Sequence, residues 1–378
     1  MNNLCCNCKA CILVCSKKAI YSQNDSLGFT KMMINASLCI KCGMCKIVCP
    51  FESYYKNLHQ DNKFFYYKSN NALNRQLSRS GGFFSSLTDY VFSLNGVVYG
   101  VIYENGKIKH ERFEKTSKNY KKMFNSKYVQ SDLNNSFVNV ITDLQEKKYV
   151  LFSGSGCQCQ ALINLLKLKK INYDRLILVD FVCHGVPSQK AFDIYRLNLE
   201  KKFNNKISNF NFRDKSLGWD KHIEKVTFIN GNEKNLYDNL SWSRIFYSNN
   251  YLNESCYSCE FSKVERETDF TIADFWNVNR FDEIKDSELG YSSVIIHSIK
   301  GENIFNKFTK NSTYKEICRN DIIQSNLLRP SIKGKNYFKI QKKLKKNNGL
   351  QKCLDKEMKY TIKFVIKKIM RSLNSGKN

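Results

Sequence analysis

The sequence predicts a small cysteine-rich α+β module followed by a larger α/β domain with a mixed sheet. Three observations carry that expectation. Nine of the 16 cysteines fall in the first 49 residues, and two strand–turn–helix units follow one another in the middle of the chain. The 378 residues are 42% hydrophobic and 13% aromatic, enough for two or three domains with a real core and too much for global disorder. No apolar run approaches the roughly 18–20 residues that span a bilayer. The chain opens on cysteines rather than on a basic and then an apolar stretch, so no export signal is expected and the cytoplasm is the expected location.

The cysteines define the first element. Cys5, Cys8, Cys11 and Cys15 read C-x2-C-x2-C-x3-C, and Cys39, Cys42, Cys45 and Cys49 repeat the pattern, followed by Pro50. This is the spacing of a bacterial two-cluster ferredoxin, in which three thiolates of a tight loop and a fourth from the other run hold each cubane. The expected sets are Cys5, Cys8 and Cys11 with Cys49, and Cys39, Cys42 and Cys45 with Cys15, for two [4Fe-4S] clusters. Ser16 stands where the first run usually has Pro, and Cys6 is surplus. Disulfides are disfavoured in a chain without an export signal, and zinc prefers paired C-x2-C knuckles. Between the runs, AIYSQ, a DSLG turn and FTKMMI predict a hairpin. Residues 1–55 are thus expected as one module and 56–78, polar and aromatic without period, as a linker.

In the larger domain, Ser80 is expected to cap the helix of FFSSLTDYVFSL, with Gly81 and Gly82 before it. These residues leave two readings open, an ordinary capped helix or an anion site at its N-terminus. GVVYGVIYENGKIKHERF predicts two strands joined at Asn105-Gly106, and a helix is expected over 132–145. YVLFSGSGCQCQALINLLKL and RLILVDFVCHGVPSQKAFDIYRLNL are the two strand–turn–helix units, and ligands tend to bind beyond the carboxyl ends of such strands. Cys157 and Cys183 lie there, and Cys256 and Cys259 precede the strand-like DFTIADFW. Four loop thiolates suggest a third cluster, and small buried side chains are the alternative. Cys159, Cys318 and Cys353 read as structural.

Seven blocks in order carry a resemblance: RSGGFFSSL, KYVQSDL, FSGSGCQCQAL, VCHGVPS, FRDKSLGW, SCYSCEF and DFTIADFW. They resemble the coenzyme F-420 hydrogenase/dehydrogenase beta-subunit family over roughly residues 79–330, with the ferredoxin module in front. The resemblance implies an α+β ferredoxin-like two-cluster module followed by an α/β flavin-binding domain with a mixed sheet. It also implies FAD, a third [4Fe-4S] cluster at Cys157, Cys183, Cys256 and Cys259, and a flavin-phosphate role for Ser80, Gly81 and Gly82. Gly154 joins the implied cofactor residues, and Asp274 and Trp276 are expected beside the flavin, with a helix cap at Asp274 and plain packing of Trp276 as the alternatives. Gly156, Ala273 and Asn277 depart from the family's blocks around that region without removing a thiolate.

The implied activity is an iron–sulfur flavoprotein oxidoreductase. Electrons would pass from ferredoxin or another low-potential redox protein through the clusters to FAD, then to a hydride acceptor, either a deazaflavin or a polysaccharide-pathway substrate. His184, beside Cys183, is the candidate proton donor, with a structural hydrogen bond as the alternative. A second functional reading is an electron-transfer subunit of a larger complex, without a substrate site of its own.

The net charge of +27 is uneven. Residues 331–378 hold 15 Lys and Arg against 2 Asp and Glu, about half of the excess. No nucleic-acid reader motif accompanies it, so no specific nucleic-acid binding is expected. This stretch is expected as a basic helical tail. In YTIKFVIKKIMRSL, Ile362, Val365, Ile366 and Ile369 recur at helical spacing among lysines. Such a helix either packs on the body or lies on an anionic membrane surface, which would place the protein at the membrane's inner face.

Overall fold

The computed structural model describes residues 4–52 and 61–358. The N-terminal module comprises α1 (Ala10–Val14), the antiparallel hairpin β1 (Ile20–Asn24) and β2 (Thr30–Ile34), and α2 (Met44–Ile47). Gly28 closes the hairpin at φ +83°, where a side chain would be strained. Its neighbours Leu27 and Phe29 are buried in the body. The module is therefore docked on the larger domain rather than tethered to it.

The larger domain starts earlier than its sequence suggests. Residues 63–77, expected as linker, form β3 (Lys63–Ser69) and α3 (Ala72–Leu77). Phe65, Tyr66 and Tyr67 are all buried, because β3 lies between two other strands with both faces covered. A strand covered on both faces carries no polar–apolar alternation, which is why the segment showed no period. Then come α4 (Phe83–Ser93), the hairpin β4 (Val97–Glu104) and β5 (Lys107–Phe113), α5 (Ser136–Gln145), and the units β6 (Val150–Ser153) with α6 (Gly156–Leu168) and β7 (Leu176–Phe181) with α7 (Gln189–Phe203). Asn105 and Gly106, both at positive φ, turn the β4–β5 hairpin as expected.

A side sheet of β8 (Ile207–Asp214), β9 (Ile223–Phe228) and β10 (Glu233–Leu236) is followed by α8 (Trp242–Tyr247). The chain then returns to the main sheet through β11 (Phe270–Asp274), β12 (Ser292–Ile296), α9 (Ile299–Phe308) and β13 (Ser312–Glu316), and ends in α10 (Arg319–Ile322), α11 (Tyr337–Leu344) and α12 (Gly349–Met358). The main sheet has eight strands in the order β13-β3-β12-β11-β7-β6-β4-β5. Its middle strands β11, β7, β6 and β4 are parallel, and the flanking pairs are antiparallel. The fold is mixed α/β with a large mixed sheet.

Residues 337–358 belong to the body and are not a free tail. Ile340, Leu344, Leu350, Cys353 and Leu354 are buried in one apolar cluster with Phe192, Tyr195 and Leu199 of α7. The amphipathic segment 360–373, with the expected membrane contact, lies outside the described residues. Among the described residues no helix is long and apolar enough to cross a membrane.

Candidate functional site

The two N-terminal cysteine loops are built alike. Asn7 and Lys9 of the first loop and Lys41 and Gly43 of the second all have positive φ, between 57° and 78°. In each loop the backbone amide two residues on donates to the first cysteine: Asn7 N to Cys5 Sγ and Lys41 N to Cys39 Sγ, both at 3.4 Å. Amides aimed at a sulfur favour its thiolate and tune whatever it binds. Equivalent conformations 34 positions apart make the module pseudo-symmetric, as the repeated spacing implies.

The inner loop faces the body. Cys11 interacts electrostatically with Cys8, Cys5 and Cys49, the four residues expected to hold one cubane. Burial pushes the Cys11 thiol up, and Cys49 to about 11. The second set is the outer one, with Cys42 exposed and Cys15, Cys39 and Cys45 half-buried. Around it Leu38, Ile40, Met44 and Ile47 are exposed.

In the larger domain, Cys157 sits in the first turn of α6, whose N-cap Ser155 makes a reciprocal capping box with Gln158. Cys183 follows β7, Cys256 lies within a short 3-10 turn (Glu254–Ser258) and Cys259 follows it directly. The fold brings these four together: Cys256 interacts with Cys183, Cys259 and Cys157, and Cys183 with Cys259 and Cys157. Burial pushes Cys183 to about 12. Among the described residues no three ligand side chains converge on a point that would hold a single ion. A cubane, whose irons sit on separate corners, asks instead for thiolates spread around it.

Beyond the carboxyl ends of β6, β7 and β11 lies a cavity of about 840 Å³, lined by all four of these cysteines and by residues 153–154, 181–183 and 272–274. Its place at the ends of parallel strands is the one the strand–turn–helix grammar predicted. Ser80, Gly82, Gly154, His184, Asp274 and Trp276 line it. Gly81 does not: a Cβ there would meet Tyr67 O at 2.2 Å and Ser292 N at 2.5 Å, so this glycine serves strand packing. Nor is Ser80 the cap of α4. Gly82 is the N-cap at φ +84°, and the Ser80 hydroxyl meets Ser292 Oγ at 3.2 Å.

His184 is engaged at both ring nitrogens. Nε2 donates to Asn249 Oδ1 at 2.6 Å, and Nδ1 faces Ser331 Oγ at 3.5 Å, with burial holding the imidazole below its ordinary value. Asp274 caps no helix; its Oδ2 pairs with Arg79 Nη2 at 2.6 Å. Trp276 is half-exposed and packs against Trp219 with the rings tilted by 31° and their centroids 4.9 Å apart. Cys159 and Cys353 are buried as expected of structural residues, whereas Cys318 is exposed.

Several cavity residues had no role assigned from sequence: Arg79, Lys127, Arg213 and His222. The signal was present, since Arg79 opens the RSGG block, Lys127 opens KYVQSDL, and Arg213 lies in FRDKSLGW. Cys6, surplus in the ferredoxin pattern, lines the cavity beside Cys157 and also a small pocket formed by Cys5, Cys8, Cys11 and Cys49.

Residues 147–319 match the family defined by the C-terminal part of the coenzyme F420 hydrogenase/dehydrogenase beta subunit. Residues 4–53 match the 4Fe-4S dicluster domain. No curated protein matches. Among solved structures, a chain of the xenon-derivatised F420-reducing [NiFe] hydrogenase complex from Methanosarcina barkeri is similar, at 14% identity and a TM-score of 0.46. The match covers 81% of this chain and 92% of that one. The two domain matches bear out the resemblance carried by the sequence blocks.

Proposed function

We propose that this chain, an iron–sulfur electron-transfer protein whose larger domain is of the coenzyme F420 hydrogenase/dehydrogenase beta-subunit type, moves electrons from an external one-electron donor to FAD held in the cavity. The observation that carries the reading is the order of the cysteine sets. The outer set opens to solvent at Cys42, the inner set faces the body, and Cys157, Cys183, Cys256 and Cys259 line the cavity. That order is a path from the surface to a ligand site.

In this reading Cys157, Cys183, Cys256 and Cys259 hold a third [4Fe-4S] cluster. Ser80, Gly82, Gly154 and Asp274 form walls for the flavin, which the volume of about 840 Å³ accommodates. Flavin supplies the exchange between single electrons and a hydride equivalent. The chain's own residues bind and orient it and keep water from the thiolates. Since Nε2 of His184 already donates to Asn249, we assign it to holding the cavity wall rather than to passing protons. The exposed Leu38, Ile40, Met44 and Ile47 around the outer set suit the docking of ferredoxin or another low-potential redox protein.

Anaerobic purification with iron, sulfide and flavin quantified tests this reading. About twelve irons and one flavin per chain are expected from three cubanes and one cofactor. About eight irons would remove the third cluster, and absence of flavin from a chain with full iron would remove FAD.

A further inference from the structure

One wall of the cavity carries more positive charge than the protein neutralises. Arg79 and Arg213 are 8% and 2% exposed, and both line the cavity. Their guanidinium groups converge on one carbonyl: Trp219 O accepts from Arg79 Nη1 at 2.8 Å and from Arg213 Nη2 at 3.4 Å. Two cations held this close repel, and only Arg79 has a carboxylate partner, Asp274. Arg213 turns its Nη1 instead to His222 Nδ1 at 2.6 Å. That imidazole is neutral, since burial and the nearby Arg213 and Arg79 hold it down at about 4.

The Nε of each guanidinium is buried and has no hydrogen-bond partner. Lys127, on the same cavity, meets only backbone carbonyls, those of Lys122 and Asn125. Asp274 is the sole carboxylate among the described lining residues. A buried cation without a counter-charge is costly, and the planar guanidinium fork matches the oxygens of phosphate or carboxylate.

We propose that Arg213, supported by Arg79 and Lys127, forms an anion-binding subsite that takes a phosphate or carboxylate group of a ligand occupying the cavity. The subsite rests on the cavity being a ligand site, as argued above, and not on that ligand being flavin. Two sources share the chemistry: the phosphate of a bound flavin, or the acidic group of a second ligand.

The test uses the full chain, purified anaerobically, as wild type, Arg213→Gln and Arg213→Lys. Binding of FAD, FMN and riboflavin is measured, and pyrophosphate is titrated into the protein as purified. Loss of one charge-assisted contact predicts that Arg213→Gln weakens its anion roughly tenfold to hundredfold. FAD and FMN weakened with riboflavin unchanged identifies the flavin phosphate as the anion. Flavin binding unchanged with pyrophosphate weakened identifies a second acidic ligand. A chain that binds no flavin yet loses pyrophosphate affinity in the variant sinks the flavin reading and keeps the subsite. Wild-type affinity of Arg213→Gln for every probe overturns the proposal. Should Arg213→Gln not fold, Arg213→Lys decides, since it keeps the charge without the fork. A smaller weakening of the same anion supports the subsite, and unchanged affinity for all probes overturns it.

Discussion

The Cys6 side chain stands beside Cys157 on the cavity wall and beside Cys8 in the smaller pocket, and its thiol interacts electrostatically with both. One surplus side chain thus touches the inner ferredoxin-type set and the cavity set together. The contact is anchored by main-chain carbonyls: Gln130 Nε2 donates to Cys6 O at 3.1 Å and Asn253 Nδ2 to Cys5 O at 2.9 Å. Beside it Phe51 packs edge-on against Phe261 with centroids 6.2 Å apart.

A thiol beside ligand sulfurs can donate its proton to one of them, and such hydrogen bonds raise cluster potentials because they stabilise the more negative reduced state. Cys6→Ala is therefore expected to keep its full iron content while the midpoint potential of at least one cluster moves down, read by redox titration followed by electron paramagnetic resonance. A loss of about four irons would show instead that Cys6 is itself a ligand.

Cys256→Ala isolates the cavity set. The variant is expected to lose about four irons per chain while the signals of the N-terminal pair survive, because its loop shares no ligand with them. Unchanged iron content would mean that the four cavity cysteines are merely packed side chains.

The Arg79–Asp274 pair predicts a stability effect. Both side chains are mostly buried and 2.6 Å apart. Removing the negative partner leaves the guanidinium charged and unpaired, at a cost on the order of 3–5 kcal/mol. Asp274→Asn should unfold at a clearly lower denaturant concentration than wild type; an unshifted midpoint would show that the pair contributes nothing.

Leu354, fully buried in α12 against α7, tests whether the last described helices belong to the body. Leu354→Ala is expected to cost about 2–5 kcal/mol in denaturant unfolding. Deleting residues 359–378, which carry six Lys and Arg and no Asp or Glu, should leave that stability unchanged. The same deletion should abolish flotation with anionic vesicles if this stretch binds membranes.

Two buried histidines make stability fall with acid. Burial lowers His110 to about 4 and His297 to about 3. Both are neutral in the folded chain, whereas in the unfolded chain each takes up a proton near pH 6.5. Stability is therefore complete above about pH 7 and is lost as pH falls from 6.5 towards 4, at about 1.4 kcal/mol per pH unit for each histidine. His110→Gln should flatten the slope of unfolding free energy against pH over that window, and an unaltered slope would refute the assignment.

Much of the organisation was legible because it is local. The ferredoxin spacing, the Asn105-Gly106 hairpin and the two strand–turn–helix units each depend on residues close in sequence, whose backbone and ligand geometry is set within a few positions. β3 was not legible. Phe65 and Tyr67 are buried in one apolar cluster with Phe83 and Phe305, and Tyr66 in another with Phe275 and Val278, so both faces are covered and the alternation by which a strand is recognised is lost; its partner strands β12 and β13 lie over 200 residues away. The capping of α4 was misplaced by two residues because Gly82, at φ +84°, starts the helix without any side-chain cap.

The sequence by itself determined the chemistry of the metal: thiolates at cubane spacing specify iron–sulfur ligation wherever the module sits. Only the tertiary structure decided the rest. Cys157, Cys183, Cys256 and Cys259 span a hundred residues and meet because β6, β7 and the turn before β11 end on the same side of one sheet. Arg79 and Arg213 belong to blocks 134 residues apart, and the approach of their like charges is enforced by the folded core around them. Local spacing records which atoms a residue offers, whereas the pairing of distant charges is paid in packing energy and exists only once the sheet has formed.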